Sequence, residues 1–370
     1  MKPIWGHRQK SKEMKIRNFL KGYQEKGLNV LKVRLYQDEI DVINNLRTLW
    51  NESVESGINP QEVKHGWIKN KTNSLFLKNH SYKEPETLQI EKTFEKLIGQ
   101  LKDHAPQYPD IKRKQSTNGH LFVISPADVH IGKLCRAFES GEDYNSQIAV
   151  QRVKEGVQGL LNKASGFEID QILLVIGNDI LHTDTPKRTT TSGTSQDTDG
   201  MWFDNFNTAV MLYVDIIETL LAVANVHVVY NPSNHDYISG YFTAQLIEAY
   251  FRNNTNITFD CSIAHRKYFT YAFNLIGTTH GDGAKTDDLP NLMAHESQNW
   301  SVCKHRYIYT GHLHHKVSKD YLSVCVETLR SPSGSDSWHH RNGYQHAPKA
   351  IEGFLHDKLH GQIARFTHLF

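Results

Sequence analysis

The stretch NVHVVYNPSNHDY, residues 225–237, joins a strand-forming run to a turn that carries an amide, an imidazole and a carboxylate. Residues 225–230 are rich in β-branched and aromatic side chains, which predicts a buried strand. The Pro-Ser turn that follows leads directly to Asn234, His235 and Asp236. Reactive side chains at the end of a buried strand are typical of sites in α/β proteins. The fold and the function therefore depend on whether other strands end in the same way.

From residue 119 onward, short apolar runs alternate with helical patterns. The runs HLFVIS, DQILLVIG and VHVVY are separated by amphipathic segments at 151–164 and 208–224. Alternation of this kind predicts an α/β domain whose strands are buried on both faces. Later runs at 267–281, 305–315 and 320–329 are richer in strand-forming residues and predict a second sheet of the same sandwich. We therefore expect a layered β-sandwich flanked by helices.

The first 117 residues differ from the rest of the chain in composition and in the spacing of their apolar residues. Apolar residues recur at helical intervals in 36–56 and in 85–102, which predicts two amphipathic helices. Between them, residues 63–79 alternate lysines with Trp67, Phe76 and Leu77, a composition that suits phosphate contacts and base stacking. A Pro-rich, polar and basic linker follows. We expect a small, basic, mainly helical region over 1–117, with a nucleic-acid contact, and a catalytic domain over 118–370.

The charge distribution agrees with this division. The chain has a formal net charge of +2, but residues 1–120 hold 22 basic and 14 acidic side chains, which leaves 20 basic and 26 acidic ones in the remainder. The acidic part of the chain after residue 120 suits a cation site, and the basic part before it suits contact with a polyanion. The alternative for the basic part is a solvated surface that binds nothing in particular.

Other features narrow the class of protein. No apolar run approaches the ~20 residues of a membrane span, and the N-terminus lacks the apolar segment of a signal peptide. The four cysteines, Cys135, Cys261, Cys303 and Cys325, show no paired spacing. Scattered cysteines favour a reducing compartment, so we expect a cytoplasmic protein that does not contact a membrane.

Metal-ligand side chains follow each predicted strand. In chain order they are Asp128 and His130, then Asp179, then Asn234 and His235, then His280, and finally His312 and His314. Each motif alone is weak, since a lone histidine is usually a surface residue or a satisfied core residue. Five strands that all end in Asp, Asn or His form a coherent set of mixed nitrogen and oxygen ligands. Such a set suits Mn, Fe or Zn better than Ca.

At these residues the chain resembles the calcineurin-like metallophosphoesterase superfamily. The ordered signature of that superfamily is D-x-H, G-D, G-N-H-D, H-G and G-H-x-H. The corresponding segments here are 128–130, 177–179, 233–236, 280–281 and 311–314, so the resemblance covers about residues 119–330. The sequence ADVHIGK is also similar to the first motif of the Mre11/SbcD-type DNA nuclease branch.

The resemblance implies two divalent metal ions, with Mn as the first choice and Fe, Zn or Mg as alternatives. It implies seven ligands: Asp128, His130 and His314 for one ion, Asn234, His280 and His312 for the other, and Asp179 between them. It further implies that His235 protonates the leaving oxygen and that Asp236 orients the ring of His235. The implied reaction is in-line attack on phosphorus by a metal-bridging hydroxide.

The sequence departs from the pattern in two places. Ser233 stands where the superfamily has a glycine. Asn178 separates Gly177 from Asp179, which shifts the second motif by one residue. The bridging position is therefore expected at Asp179, with Asp184 as the alternative carboxylate.

Three functions remain open at this point. The first choice is a phosphodiesterase or nuclease that acts on nucleic acid, and a homodimer is an option because such nucleases often pair. The alternatives are a small-molecule phosphatase or nucleotide phosphodiesterase, and a binding module without catalysis. Two polar loops are expected to form the walls of the site and to supply substrate contacts: Lys187, Arg188, Arg330, His339, His340 and Arg341.

Overall fold

The computed structural model describes 108–113, 116–344 and 346–370, the backbone of two strands at 65–69 and 74–78, and single helical positions within 41–55 and 92–98. The chain divides into two compact units, Met1–Thr93 and Phe94–Phe370. The domain boundary expected near residue 117 stays a prediction. In the described part of the chain, every helix is too short or too polar to cross a membrane.

The described part of the first unit contains a β-hairpin. Strands β1 (His65–Lys69) and β2 (Ser74–Lys78) pair in antiparallel register, with His65 opposite Lys78. The sequence predicted contact residues in this segment but no strand pair. Helical positions such as Asp41 and Asn51 fall inside the helix predicted for 36–56. The predicted nucleic-acid contact rests on side chains outside the described residues and stays a prediction.

The first sheet of the second unit has six strands in the order β13-β12-β3-β4-β5-β6. Their bounds are β3 His120–Ser125, β4 Ile169–Gly177, β5 Asn225–Asn231, β6 Ile257–Asp260, β12 Ala350–Asp357 and β13 Gly361–Leu369. Strands β3 to β6 run parallel, and β12 pairs antiparallel with β3 and with β13. The parallel strands therefore present their carboxyl ends at one edge of the sheet.

The second sheet has five strands in the order β10-β11-β9-β8-β7. Their bounds are β7 Lys267–Tyr271, β8 Asn274–Thr279, β9 His305–Thr310, β10 Val317–Tyr321 and β11 Val324–Thr328. The three central strands are parallel and the two outer ones are antiparallel. The later β-rich runs of the sequence thus form a second sheet, as predicted.

Six helices are described in the second unit: α1 Ala137–Ser140, α2 Ser146–Lys163, α3 Trp202–Leu221, α4 Tyr237–Phe251, α5 Leu289–Glu296 and α6 Ser337–Asn342. Helix α2 begins where the side chain of Asn145 accepts a hydrogen bond from Ile148 N at 2.9 Å, which caps an otherwise unpaired amide. Its buried residues, including Val153, Val157 and Leu160, recur at helical spacing and face the first sheet.

The core has layers because each central strand is buried on both faces. Phe122 and Ile124 of β3 pack with the helices, whereas Leu121 and Val123 pack against the second sheet and contact a cluster that contains Tyr309. A third cluster covers the outer face of the second sheet beneath α5. The chain is therefore a layered α/β sandwich with flanking helices, and the predicted fold class is confirmed.

Part of the predicted linker packs on this sandwich. The hydroxyl of Tyr108 donates to Glu218 at 2.8 Å, and the amide of Ile111 donates to the side chain of Asn256 at 3.0 Å. Arg113 donates to Asn225 at 2.7 Å. Residues 108–113 are thus tied to α3 and to the β5–β6 edge.

Gly177, the last residue of β4, provides a test of how tightly the strand ends are packed. Its φ of +90° disfavours any side chain, and an added Cβ would lie 2.1 Å from the carbonyl oxygen of Asn231. Gly141 has a nearly equal φ of +91° but has open space around it. Gly177→Ala should therefore cost about 1–3 kcal/mol of unfolding free energy beyond the cost of Gly141→Ala. Urea unfolding followed by circular dichroism measures both, and equal losses would contradict this packing.

Candidate metal centre

The predicted ligands converge at the carboxyl ends of five strands. Asp128 and His130 follow β3, Asp179 follows β4, Asn234 and His235 follow β5, His280 follows β8, and His312 and His314 follow β9. Strands β3, β4 and β5 are parallel neighbours in the first sheet, and β8 and β9 are parallel neighbours in the second. The two sheets therefore bring their loops together at one edge of the sandwich.

The first ligand group consists of Asp128, His130 and His314, whose ligand atoms all lie within 4.8 Å of one another. His314 Nε2 lies 3.5 Å from Asp128 Oδ1 and 3.2 Å from His130 Nε2. Both carboxylate oxygens of Asp128 accept from the backbone amide of His312 at 3.0 Å. The three side chains thus point their donor atoms at a common point.

The second group consists of Asp179, His280 and His312, again with ligand atoms within 4.8 Å of one another. His280 Nε2 lies 3.3 Å from Asp179 Oδ2 and 2.9 Å from Asn234 Oδ1, which adds the predicted amide ligand. The same Oδ2 of Asp179 lies 3.9 Å from His130 Nε2 in the first group. Asp179 therefore stands between the two groups, where a bridging carboxylate would lie.

Asp184, the alternative carboxylate, is hydrogen-bonded to the start of helix α4. Its side chain accepts hydrogen bonds from the backbone amides of Ile238 and Ser239 and from the Ser239 hydroxyl, the last two at 2.8 Å. These groups belong to the first turn of α4, whose amides have no partner inside the helix. Asp184 thus caps α4, and the extra Asn178 does not move the bridging position away from Asp179.

The site is built on left-handed backbone. Six of its non-glycine residues have φ between +51° and +69°: Asp128, His130, Asn178, Asp179, His312 and His314. Each such residue costs roughly 1–2 kcal/mol and persists only where surrounding contacts enforce it. Hydrogen bonds between the loops after β3 and β4 supply this enforcement, since Asp128 N donates to Asn178 O at 2.7 Å and His130 N to Asp179 O at 2.9 Å.

Burial and charge set the protonation of the cluster. Burial lowers the pKa of His130, His312 and His314, which keeps these imidazoles neutral with free lone pairs. Burial would also lower the pKa of His280, but the adjacent Asp179 outweighs it and raises that pKa to about 9. Burial would raise the pKa of Asp179, yet His280 and His235 hold it below its usual range. These two opposite pKa shifts favour a protonated His280 beside the ionised carboxylate of Asp179.

These residues fit two divalent cations. Imidazoles, carboxylates and one amide oxygen form two adjacent donor sets, and a shared carboxylate lies between them. Nitrogen and oxygen donors without thiolates suit Zn, Mn or Fe. The buried negative charge of Asp128 and Asp179, which a protein must compensate, also favours cations at this position.

His235 lies beside both groups with its ring fixed by the backbone. Its Nδ1 lies 2.9 Å from the carbonyl oxygen of His182, and because a carbonyl only accepts, Nδ1 carries a proton. Its amide donates to Asp179 Oδ1 at 3.0 Å, and its ring lies 4.6 Å from that of His130. This arrangement leaves Nε2 available to a substrate in the cleft that His235 lines.

The role predicted for Asp236 requires correction. Its Oδ1 accepts from the Ser233 hydroxyl at 2.6 Å, and its Oδ2 accepts from the amide of Leu181 at 2.9 Å. The carbonyl of His182 holds the ring of His235 instead. The Ser233 hydroxyl also accepts from the amide of Asp179 at 2.8 Å, so the serine that replaces the usual glycine joins the β4 and β5 loops.

Two residues of the site escaped the sequence analysis. His182 is buried, with Nδ1 3.4 Å from His130 Nδ1 and its ring stacked on His235 at 5.3 Å. Lys133 is fully buried and lies 2.9 Å from Asp336. The only local signal for Lys133 is its place at the end of ADVHIGK, and His182 belongs to no motif. His130, His182 and His235 also form a third set of grouped donor atoms.

The structure places one of the six predicted substrate contacts in the lining of the cleft, and substrate binding by the others stays a prediction. His339 lines the cleft and stacks on His314 with ring centroids 5.3 Å apart. Arg330 pairs with the buried Glu352 at 2.6 Å, and Arg365 pairs with the same carboxylate at 2.6 Å. The other four lie on exposed surface away from the cleft lining: Lys187, Arg188, His340 and Arg341.

The cleft over the metal centre has a volume of about 960 Å³. The loop after β4 lines it through short polar side chains, among them Thr190, Ser192 and Thr194. The region around α6 lines it through Trp338, His339 and Tyr344. Both polar loops that the sequence singled out therefore reach the cleft, and among the predicted contacts His339 is the one in its lining.

No protein-family model matches the chain, and no curated protein matches it. Among solved structures, it is similar to an archaeal phosphodiesterase at 10% identity and a TM-score of 0.33, covering 68% of this chain and 99% of that one. It is also similar to Vps29 complexed with zinc from Entamoeba histolytica, at 12% identity and a TM-score of 0.29, covering 67% and 98%. A predicted phosphoesterase from Streptococcus pneumoniae TIGR4 shows 12% identity and a TM-score of 0.27, covering 68% and 99%. Likeness at this level assigns neither substrate nor activity.

Asp179 and Asp184 form a matched pair for testing the metal centre. Asp179→Asn should weaken Mn²⁺ or Zn²⁺ binding by at least ~10–100-fold, because loss of even an outer partner of a metal ligand has that effect. Asp184→Asn should retain metal, since its carboxylate caps α4. Metal content after loading and desalting, measured by mass spectrometry, checks both. Full metal retention in Asp179→Asn would rule out the bridging position.

Proposed function

We propose that this protein is a calcineurin-like metallophosphoesterase that uses two divalent cations to hydrolyse phosphodiesters in nucleic acid. The observation that carries the proposal is the position of Asp179, which shares one carboxylate oxygen between two groups of metal ligands. A pair of cations bound there would lower the pKa of a water molecule and bind phosphate oxygens.

Other residues of the site are placed for proton transfer and for holding the ligands. His235 faces the cleft beside both ligand groups, and its Nδ1 is fixed by the His182 carbonyl. Its Nε2 is therefore the atom that, when it also carries a proton, can give that proton to the leaving oxygen. The strained loops hold the ligands rigidly, so that little reorganisation is needed when the substrate binds.

Lys133 supplies a fixed positive charge at the same place. Its ammonium group is buried, lines the cleft and pairs with Asp336 at 2.9 Å. A buried cation near the metal ligands can stabilise negative charge that develops on phosphate oxygens. We assign Lys133 to the substrate phosphate and Asp336 to the positioning of the lysine.

A nucleic-acid substrate agrees with the excess of basic side chains in residues 1–120 and with the aromatic side chains of the cleft. The second candidate is a small phosphomonoester or nucleotide. A cleft of about 960 Å³ favours it, since small-molecule sites have volumes of roughly 300–1,000 Å³. A module without catalysis fits less well, because metal binding alone does not require His235 in its observed position.

The proposal is tested with purified protein loaded with Mn²⁺. We expect cleavage of single-stranded or duplex DNA or RNA and of bis(nitrophenyl) phosphate, with loss of activity in excess chelator. Rapid hydrolysis of nitrophenyl phosphate without cleavage of any polynucleotide would support the small-molecule alternative. No hydrolysis of any phosphoester with Mn²⁺, Fe²⁺ or Zn²⁺ would contradict the enzyme.

His235→Ala should keep its metal content and lose about 10²–10⁴-fold in kcat, the usual contribution of a general acid. The retained metal distinguishes an acid from a ligand, because His235 also belongs to the third set of grouped donor atoms. His130→Ala is the control that should lose both metal and activity. A drop in metal content of His235→Ala equal to that of His130→Ala would show that His235 is a ligand.

Lys133→Ala should lower kcat/KM for bis(nitrophenyl) phosphate by roughly 10²-fold, as the loss of one preorganised charge-stabilising donor does. Lys187→Ala is the matched control, since Lys187 is exposed and does not line the cleft. Initial rates at several substrate concentrations give kcat/KM for both variants, and metal content is measured in parallel. Small and equal changes in kcat/KM for both substitutions would contradict a role of Lys133 in phosphate binding.

A further inference from the structure

A series of aromatic rings in contact leads from the candidate metal centre to the surface of the cleft. His339 stacks on the ligand His314 with centroids 5.3 Å apart and an interplanar angle of 18°. Trp338 contacts His339 edge-on at 5.2 Å, and Tyr344 lies 5.7 Å from Trp338 at an angle of 30°. Two ring-to-ring steps thus separate Trp338 from a metal ligand.

The local sequence holds these rings in place. Asp336 caps α6, because its Oδ1 accepts from the amide of His339 at 3.0 Å and lies 2.7 Å from His339 Nδ1. Its other oxygen pairs with Lys133 at 2.9 Å, which ties α6 to the loop after β3. At the far end Gly343 adopts a φ of +78°, and Tyr344 N donates to His339 O at 2.9 Å. This left-handed turn brings Tyr344 back beside Trp338.

Both outer rings are exposed although they line the cleft. Trp338 and Tyr344 each expose 61% of their surface. Flat aromatic side chains held open at the rim of a site supply a stacking surface for another planar ring. The same cleft carries hydroxyl and amide groups on Thr190, Ser192 and Gln196, which suit the polar edges of such a ring.

We propose that Trp338 and Tyr344 form the base-binding subsite of the protein, on which a nucleobase stacks while the adjoining phosphate lies at the metal centre. The proposal rests on the proposed function, and it names the substrate class as one that contains a nucleobase. A nucleobase fits better than an alkyl or sugar group, because the rings form a continuous aromatic path from the ligand His314 and polar groups line the rest of the cleft.

The test measures binding, so that it does not depend on turnover. Full-length protein carrying His235→Ala, which is expected to keep its metal and lose turnover, is loaded with Mn²⁺ and titrated into a fluorescently labelled oligothymidylate and into an abasic oligomer of equal length and charge, with anisotropy as the readout. The substitutions Trp338→Ala and Tyr344→Ala are each introduced separately into this variant. Trp202→Ala is the matched control, because Trp202 is 49% exposed at the start of α3 and does not line the cleft. Thymidine monophosphate as a competitor distinguishes a free nucleotide from one unit of a polymer.

We expect Trp338→Ala to weaken oligothymidylate binding by on the order of 5- to 150-fold, the value of one stacked base, and to bring it towards the affinity of the abasic oligomer. Trp338→Phe should restore part of the loss, and Trp202→Ala should have no effect. Equal affinity of the oligothymidylate for the Trp338→Ala and parent proteins would overturn the subsite, as would equal binding of the two oligomers or no binding of either. Base-dependent binding without cleavage by the metal-loaded wild type would leave the subsite in place and contradict the proposed function alone.

Discussion

The burial of two carboxylates at one edge of the sandwich is the constraint on which the rest of the site depends. Asp128 and Asp179 are almost completely inaccessible to solvent, and isolated buried charges cost several kcal/mol each. The protein compensates them with the backbone amides of His312 and His235 and with the ring of His280. Left-handed loop backbone is needed to aim these groups, and that strain is tolerated because the loops are hydrogen-bonded to each other.

The sandwich makes this convergence achievable with short loops. Parallel strands in the first sheet place Asp128, Asp179 and Asn234 side by side, and the second sheet adds His280 and the two histidines after β9. Because the strands are buried on both faces, their ends are fixed by the core. The predicted ligands therefore stand on rigid supports, and the polar loop after β4 and the α6 region add further side chains to the lining of the cleft.

The sequence predicted what depends on strand order and residue type, and missed what depends on distant partners. The convergence of the predicted ligand residues could be predicted because each follows an apolar run, and the layered fold could be predicted because those runs alternate with helices. The role of Asp236 could not be predicted, since its partner Leu181 N becomes its neighbour only when β4 and β5 pair. Arg330 was assigned to substrate for the same reason, because its partner Glu352 lies 22 residues away on β12. Lys133 and His182 belong to no recognisable spacing.

The contacts of Asp336 connect metal chemistry with substrate choice. One carboxylate oxygen holds Lys133 beside the metal ligands, and the other holds His339 at the start of the aromatic path. Electrostatic attraction to Lys133 and His339 keeps the pKa of Asp336 below its usual range in spite of burial, which would raise it. The group stays charged, so the tether persists across neutral pH. Under the proposed function, the cation that would face the phosphate and the rings that would face the base are positioned by the same side chain, which would fix the distance between them.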